Sequence, residues 1–299
     1  RGAYILQKDL SQFETDLATY CNVKYAIGVA NGTDAIWLAL EAAGIGEGDE
    51  VILSSHTYIA TAGAVAFVKA KPIPVECKED WMIDPAAVEA AITPKTKAIL
   101  PTQLNGRCCD MDALRTIAKK HNLIIIEDAA QALGAKYKGE FAGTMGLAGT
   151  ISFYPAKTLG SFGDAGAILT NDKELYDKMR FARDHGRNDD GEFIMWGYNS
   201  RMDNFQAAIL NYKLAYYDDE VKRRREIASL YHQKLSDLNQ IKLPQDPNAN
   251  EDYFDVYQNY EIRAEKREEL REFLKENGIG TLIQWGGQPV HTLNKLGFI

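Results

Sequence analysis

Between residues 25 and about 170, short apolar runs alternate with helix-length stretches. Residues 25–29, 50–53, 72–75, 98–101, 123–126, 150–153 and 165–170 read as strands. Residues 33–43, 59–68, 85–91 and 111–121 read as helices between them. Strands that alternate with helices imply crossover units. The expected fold is therefore α/β: a mainly parallel seven-stranded sheet with helices on both faces.

The pattern changes after about residue 172. Residues 173–183 and 204–238 are helical in spacing, with a break expected near 216–219. Pro244, Pro247 and Asn248-Ala249-Asn250 mark a loop. An alternating strand over 256–262 and a charged helix over 264–277 follow, closed by Gly278-Ile279-Gly280. This divides the chain into a large domain, 1–212, and a smaller α+β domain, 213–299. The chain opens at Arg1 and stops at Ile299 without a final helix, so both ends are expected to be clipped and the smaller domain to continue. There is no internal repeat.

Composition narrows the class. The chain has 299 residues, 45% hydrophobic and 25% charged, the balance of a soluble globular enzyme. No apolar run approaches the roughly 20 residues of a membrane span. The net charge of −8 argues against nucleic acid as the main partner but leaves anionic small substrates open. Four cysteines, with Cys108 and Cys109 adjacent, give neither metal-ligand spacing nor a disulfide framework. They read as reduced thiols of a cytoplasmic protein, the adjacent pair packing as small apolar residues. Nothing at the N-terminus looks like a signal peptide.

Candidate chemistry sits at strand ends, where open parallel sheets bind ligands. Asn31-Gly32-Thr33-Asp34 lies between the first strand and its helix, where N–H groups and a hydroxyl meet an anion; a plain N-cap would look the same. Glu127-Asp128-Ala129-Ala130-Gln131 ends the most apolar strand. A buried carboxylate there needs a partner, and a pyridinium nitrogen, an arginine or a metal would each serve. Lys157 follows Ser152-Phe153-Tyr154-Pro155-Ala156 and precedes the glycine-rich 160–166. Phosphate donors, an acid and an amine in that order are what a pyridoxal 5′-phosphate (PLP) site needs.

On Glu-Asp-Ala-Ala-Gln, Ser-Phe-Tyr-Pro-Ala-Lys and Gly-Tyr-Asn-Ser-Arg-Met, with the segment 28–36, the chain resembles the DegT/DnrJ/EryC1/StrS sugar aminotransferases of the aspartate-aminotransferase fold. The resemblance implies that Lys157 attaches covalently to PLP and then shuttles a proton, while Asp128 keeps the pyridine nitrogen protonated. It places Gln131 beside the cofactor and Tyr58 stacked on its ring. Gly32, Thr33, Asp34 and Ser152 form the phosphate cup, and Asn199 reaches the phosphate from the other subunit of a homodimer. Asn105 stands where the family more often has tyrosine, in a loop facing the sugar. His185 and Arg201 are further candidates for substrate contact, Arg201 having a structural ion pair as its alternative. The run Lys222–Glu226 reads as the wet face of a helix.

The function implied is amino transfer from an amino acid, glutamate first among donors, to a nucleotide-linked keto sugar (dTDP-, UDP- or GDP-linked). Sibling enzymes that dehydrate a keto sugar carry histidine at the lysine position, so Lys157 favours transamination. A keto-cyclitol substrate and a non-catalytic regulatory relative are the alternatives. A dinucleotide-binding protein is disfavoured, since no Gly-x-Gly-x-x-Gly follows the first strand.

Overall fold

The computed structural model describes residue 2 and residues 4–297. Helix α1 (Lys8–Tyr20), not singled out from the sequence, buries Leu10, Phe13 and Leu17 at helical spacing. The chain then alternates through β1 (Tyr25–Val29), α2 (Gly32–Ala42), β2 (Glu50–Ser54), α3 (Ile59–Phe67), β3 (Lys71–Val75), α4 (Pro85–Ala90), β4 (Thr96–Leu100), α5 (Met111–His121) and β5 (Ile124–Asp128). A short hairpin, β6 (Lys136–Tyr137) and β7 (Glu140–Phe141), precedes β8 (Ala148–Ser152), β9 (Gly166–Thr170) and α6 (Lys173–Ala182).

The seven long strands form one sheet in the order β1-β9-β8-β5-β4-β2-β3. Only β9 runs against its neighbours β1 and β8; the other pairs are parallel. The carboxyl ends of six strands and the amino end of β9 thus share one side of the sheet. Pro72 and Pro74 fall in β3, an edge strand, where the missing N–H groups cost no ladder bonds.

Successive sheet residues point to opposite faces. Ile125 belongs to one hydrophobic cluster with Phe13, Leu114 and Leu210, and Ile126 to another with Ile36, Val65 and Met179. Helices α1 and α5, with α7 (Asn204–Leu214), cover the first face. Helices α2, α3 and α6 cover the second. Cys108 and Cys109 are buried in the first cluster.

Beyond α7 the chain forms α8 (Tyr217–Leu235), β10 (Ile241–Lys242), β11 (Tyr253–Phe254), β12 (Arg263–Ala264) and α9 (Arg267–Glu276). The break between α7 and α8 falls at residues 215–216, at the edge of the expected interval. Tyr217, Val221 and Val256 join the first cluster and Val290 the second, so this stretch packs onto the sheet unit. Arg225 corrects the reading of Lys222–Glu226 as wholly wet: it donates to the Asp255 and Pro247 carbonyls at 2.7 and 2.9 Å.

The expected strand over 256–262 is absent. Tyr253–Phe254 pairs instead with the β6 hairpin, Arg263–Ala264 pairs with β10, and the residues between them form no ladder. Tyr257 takes a left-handed φ of 51°, which breaks the pleat. The polar side chains of this segment bond to the loops at the strand ends, as the next section describes.

Candidate active site

The anion cup begins where β1 ends. Asn31 caps α2, its Oδ1 accepting from the Asp34 N–H at 2.8 Å. The N–H groups of Gly32 and Thr33 precede the first intrahelical bond and have no partner among the described residues, so they and the positive end of the helix dipole are available to an anion. A Cβ on Gly32 would stand 2.8 Å from the Ser152 Cβ; any side chain there would fill the cup. Asp34 plays another part. Its carboxylate accepts from Trp37 Nε1 at 3.1 Å and from Ser200 Oγ at 2.7 Å, which ties the cup to the segment carrying Asn199.

At the end of β5 the two acids point to opposite faces. Glu127 is fully buried and accepts from Gln103 Nε2 at 2.6 Å and from the N–H groups of Gly143, Met145 and Gly146 at 2.9, 2.6 and 2.8 Å. Burial pushes its carboxyl up, against the pull of these donors. It holds a turn. Asp128 faces the site, with Oδ2 accepting from Thr61 Oγ1 at 2.7 Å and Oδ1 from the Ala130 N–H at 3.1 Å. Burial raises its carboxyl too, opposed by Thr61, Ala130 and the charge of Lys157.

Lys157 stands in a tight loop after β8. Its N–H bonds the Tyr154 carbonyl at 2.8 Å, and a Cβ on Gly160 would stand only 2.5 Å from the Pro155 oxygen, so the loop closes only over glycine. The lysine side chain makes no hydrogen bond or ion pair among the described residues. Burial lowers its pKa, and Asp128 opposes the shift. A lowered pKa raises the fraction of neutral amine, the form that attacks a carbonyl.

Residues not foreseen from the sequence hold this loop. Gln258 Oε1 accepts from the Thr158 N–H at 2.8 Å, and Gln258 Nε2 donates to the Ala156 carbonyl at 2.9 Å. Thr158 Oγ1 meets Tyr217 Oη at 2.7 Å. Gln258 lies within the segment read as a strand, and that reading hid it.

The remaining candidates divide. Tyr58 is exposed at the start of α3. Gln131 Oε1 accepts from the Asn105 N–H at 2.8 Å, which joins the two loops. The Asn105 side chain is committed within the chain: its Nδ2 donates to Glu261 at 2.6 Å, and its Oδ1 accepts from Asn259 and Gln284 at 2.9 and 2.6 Å. Arg201 forms the structural ion pair, donating to Asp184 at 2.8 Å. His185 is exposed at a left-handed φ of 62° and makes no side-chain bond among the described residues. Asn199 is exposed as well, one residue before the Ser200 that grips Asp34.

The donor set fits PLP: two unpaired N–H groups and a glycine cradle for phosphate, a carboxylate for the ring nitrogen, and an unpartnered amine. The model of the DegT/DnrJ/EryC1/StrS aminotransferase family matches residues 1–296. The chain belongs to this family.

A Geobacillus stearothermophilus protein named pleiotropic regulatory protein is 47% identical, the match covering 96% of this chain and 77% of the relative. The dTDP-3-amino-3,4,6-trideoxy-alpha-D-glucose transaminase of Streptomyces venezuelae is 45% identical, over 97% of this chain and 76% of the relative. The crystal structure of S. venezuelae DesV in complex with a ketimine intermediate superposes with a TM-score of 0.93 at 45% identity, covering 97% of this chain and 78% of that one. The PLP form of Spr1654 from Streptococcus pneumoniae, called a putative sugar aminotransferase, gives 0.91 at 25% identity, covering 100% and 83%.

Proposed function

We propose that this member of the family is a PLP-dependent aminotransferase that moves an amino group from an amino acid, glutamate first among donors, to a nucleotide-linked keto sugar. The observation that carries this is Lys157: a half-buried amine with lowered pKa, no bonded partner among the described residues, and Asp128 as the charge opposing the shift. When bound, PLP supplies an electron sink conjugated to the substrate nitrogen. Gly32 and Thr33 would bind its phosphate through their N–H groups, and Asp128 would hold a proton at its ring nitrogen. Tyr58 would cover the ring. Lys157 would take a proton from the substrate carbon or return it, as general base and then acid.

The nucleotide-sugar class is supported by the named activity of the S. venezuelae relative. The regulatory name of the Geobacillus relative motivates a second reading, a sensor that keeps the cofactor. An amine left without a structural partner favours turnover, because a binding protein gains nothing from that cost.

Two further proposals concern organisation. Residues 213–299 are taken as part of a smaller domain, and the chain as a cytoplasmic homodimer with shared sites. No helix among the described residues is long and apolar enough to cross a membrane, and all four cysteines are free. Trp196 is 98% exposed amid exposed Phe193, Ile194 and Tyr198, beside Asn199. This run of exposed apolar side chains supports an interface there.

The test is an absorbance spectrum with added PLP, before and after excess glutamate, followed by product analysis with dTDP-, UDP- and GDP-linked keto sugars. A visible band of lysine-bound PLP, lost on adding glutamate and restored by one of the sugars, is expected. A band indifferent to every amino acid would favour the sensor.

A further inference from the structure

Asp128 is held by more than its immediate donor. Thr61 lies in the first turn of α3 and its Oγ1 is 2.7 Å from Asp128 Oδ2. Thr57, just before that helix, brings its Oγ1 to 2.7 Å from Thr61 Oγ1. Thr102, just past β4, reaches Thr57 Oγ1 at 2.8 Å. All three threonines are buried, at 0%, 1% and 6% exposure. Two segments, the start of α3 and the chain just past β4, therefore deliver one unbroken row of hydroxyls to a single carboxylate oxygen.

The row has a direction. A carboxylate only accepts, so Thr61 spends its one proton on Asp128 and must accept from Thr57. Thr57 in turn has no proton left for Thr102 and accepts from it. Every O–H then points toward Asp128, and each bond polarises the next in the low dielectric of a buried site. Tyr58, the residue proposed to cover the ring, lies next to Thr57 in the chain, at the start of α3.

We propose that Thr102, Thr57 and Thr61 act as a polarised hydroxyl relay that keeps Asp128 ionised and aimed, and so keeps the proton on the cofactor ring nitrogen. Thr61 is the positioning residue in contact with the acid; Thr57 and Thr102 act through it. The inference rests on the PLP reading above. A buried acid without these donors would take the proton itself, and the ring would lose its positive charge. A hydrogen bond to a charged group shifts such an equilibrium by about ten- to a hundredfold.

The test uses PLP labelled with 15N at the ring nitrogen, bound to the wild type, Thr61→Val, Thr61→Ser and Thr102→Val. Valine keeps the shape and removes the hydroxyl; serine keeps the hydroxyl. The expected result is a ring-nitrogen shift that moves toward the unprotonated position in Thr61→Val, moves the same way by less in Thr102→Val, and stays put in Thr61→Ser. The half-reaction with glutamate slows about ten- to a hundredfold in Thr61→Val. A wild-type shift in Thr61→Val overturns the proposal. Should that variant not fold, an unchanged shift in Thr102→Val overturns the relay. If the wild type fails to take up PLP at all, the cofactor reading fails instead, which separates the two.

Discussion

Gln258 grips the loop of Lys157 from both sides of the lysine, accepting from the Thr158 N–H at 2.8 Å and donating to the Ala156 carbonyl at 2.9 Å. A residue 101 positions away in the chain thus sets where the amine stands. The two bonds exploit both ends of one side-chain amide, which only glutamine or asparagine can do.

Gln258→Ala should therefore cost turnover while the fold survives. Misplacement of a reacting group by about 1 Å costs roughly a hundredfold, so kcat should fall about ten- to a hundredfold. Gln258→Glu keeps the acceptor for Thr158 and loses the donor to Ala156, and should lie between. Steady-state rates with unchanged melting temperature would support this; a wild-type kcat in Gln258→Ala would end it.

The pH dependence of cofactor capture follows from Lys157. Burial lowers its pKa and Asp128 opposes that, so the neutral amine forms below the ordinary lysine value of about 10.4. The rate at which the apoprotein captures PLP should rise with pH through the lowered pKa and level off before free lysine does. Asp128→Asn removes the opposing charge and should move the midpoint lower still. A stopped-flow profile with its midpoint at or above the free-lysine value would contradict the geometry.

The same shift has a stability consequence. A lysine whose folded pKa lies below its unfolded pKa destabilises the fold fully at pH below the folded value. That cost disappears as pH rises past the unfolded value. Lys157→Met should accordingly raise the apoprotein melting temperature at neutral pH, and the gain should vanish above about pH 10.4. Thermal scans across pH would show it.

Glu127 makes the opposite case, a buried charge whose removal should hurt. Glu127→Ala leaves the N–H groups of Gly143, Met145 and Gly146 and the Gln103 amide without their acceptor. Each unsatisfied buried group costs about 1–3 kcal/mol, so a loss of at least about 3 kcal/mol is expected in chemical denaturation. A loss under 1 kcal/mol would mean the turn finds other partners.

The proposed dimer has its own readout. Trp196→Glu should convert the protein from dimer to monomer in sedimentation velocity and weaken PLP binding, although Trp196 lies in no part of the PLP donor set of its own chain. Monomeric wild-type protein with full PLP affinity would remove the shared-site proposal.

Much of this was legible before folding. The seven strands were placed to within two residues at nearly every boundary, because buried strands between helices carry a local hydrophobic signature. The break between α7 and α8 fell at the edge of the expected interval. The reading failed at 256–262, where alternation suggested a strand. There Tyr257 turns left-handed, and Gln258, Asn259 and Glu261 bond to loops instead of to a neighbouring strand. Alternating polarity describes which residues face inward; it does not say what they meet there.

By itself the sequence determined the chemical groups and the strand ends that bear them: Asn31 before a helix, Asp128 closing a strand, Lys157 just ahead of a glycine-rich run. Each depends on neighbours within a few residues, and short-range sterics and hydrophobic period suffice to read them. Only the tertiary structure decided that Asp34 grips Ser200, that three threonines from two segments line up on Asp128, and that Gln258 holds the lysine loop. Those partners stand 45 to 166 residues apart in the bonds that cross the fold. A hydrogen bond needs atoms within about 3 Å, and that proximity exists only once the sheet has brought its strand ends to one side.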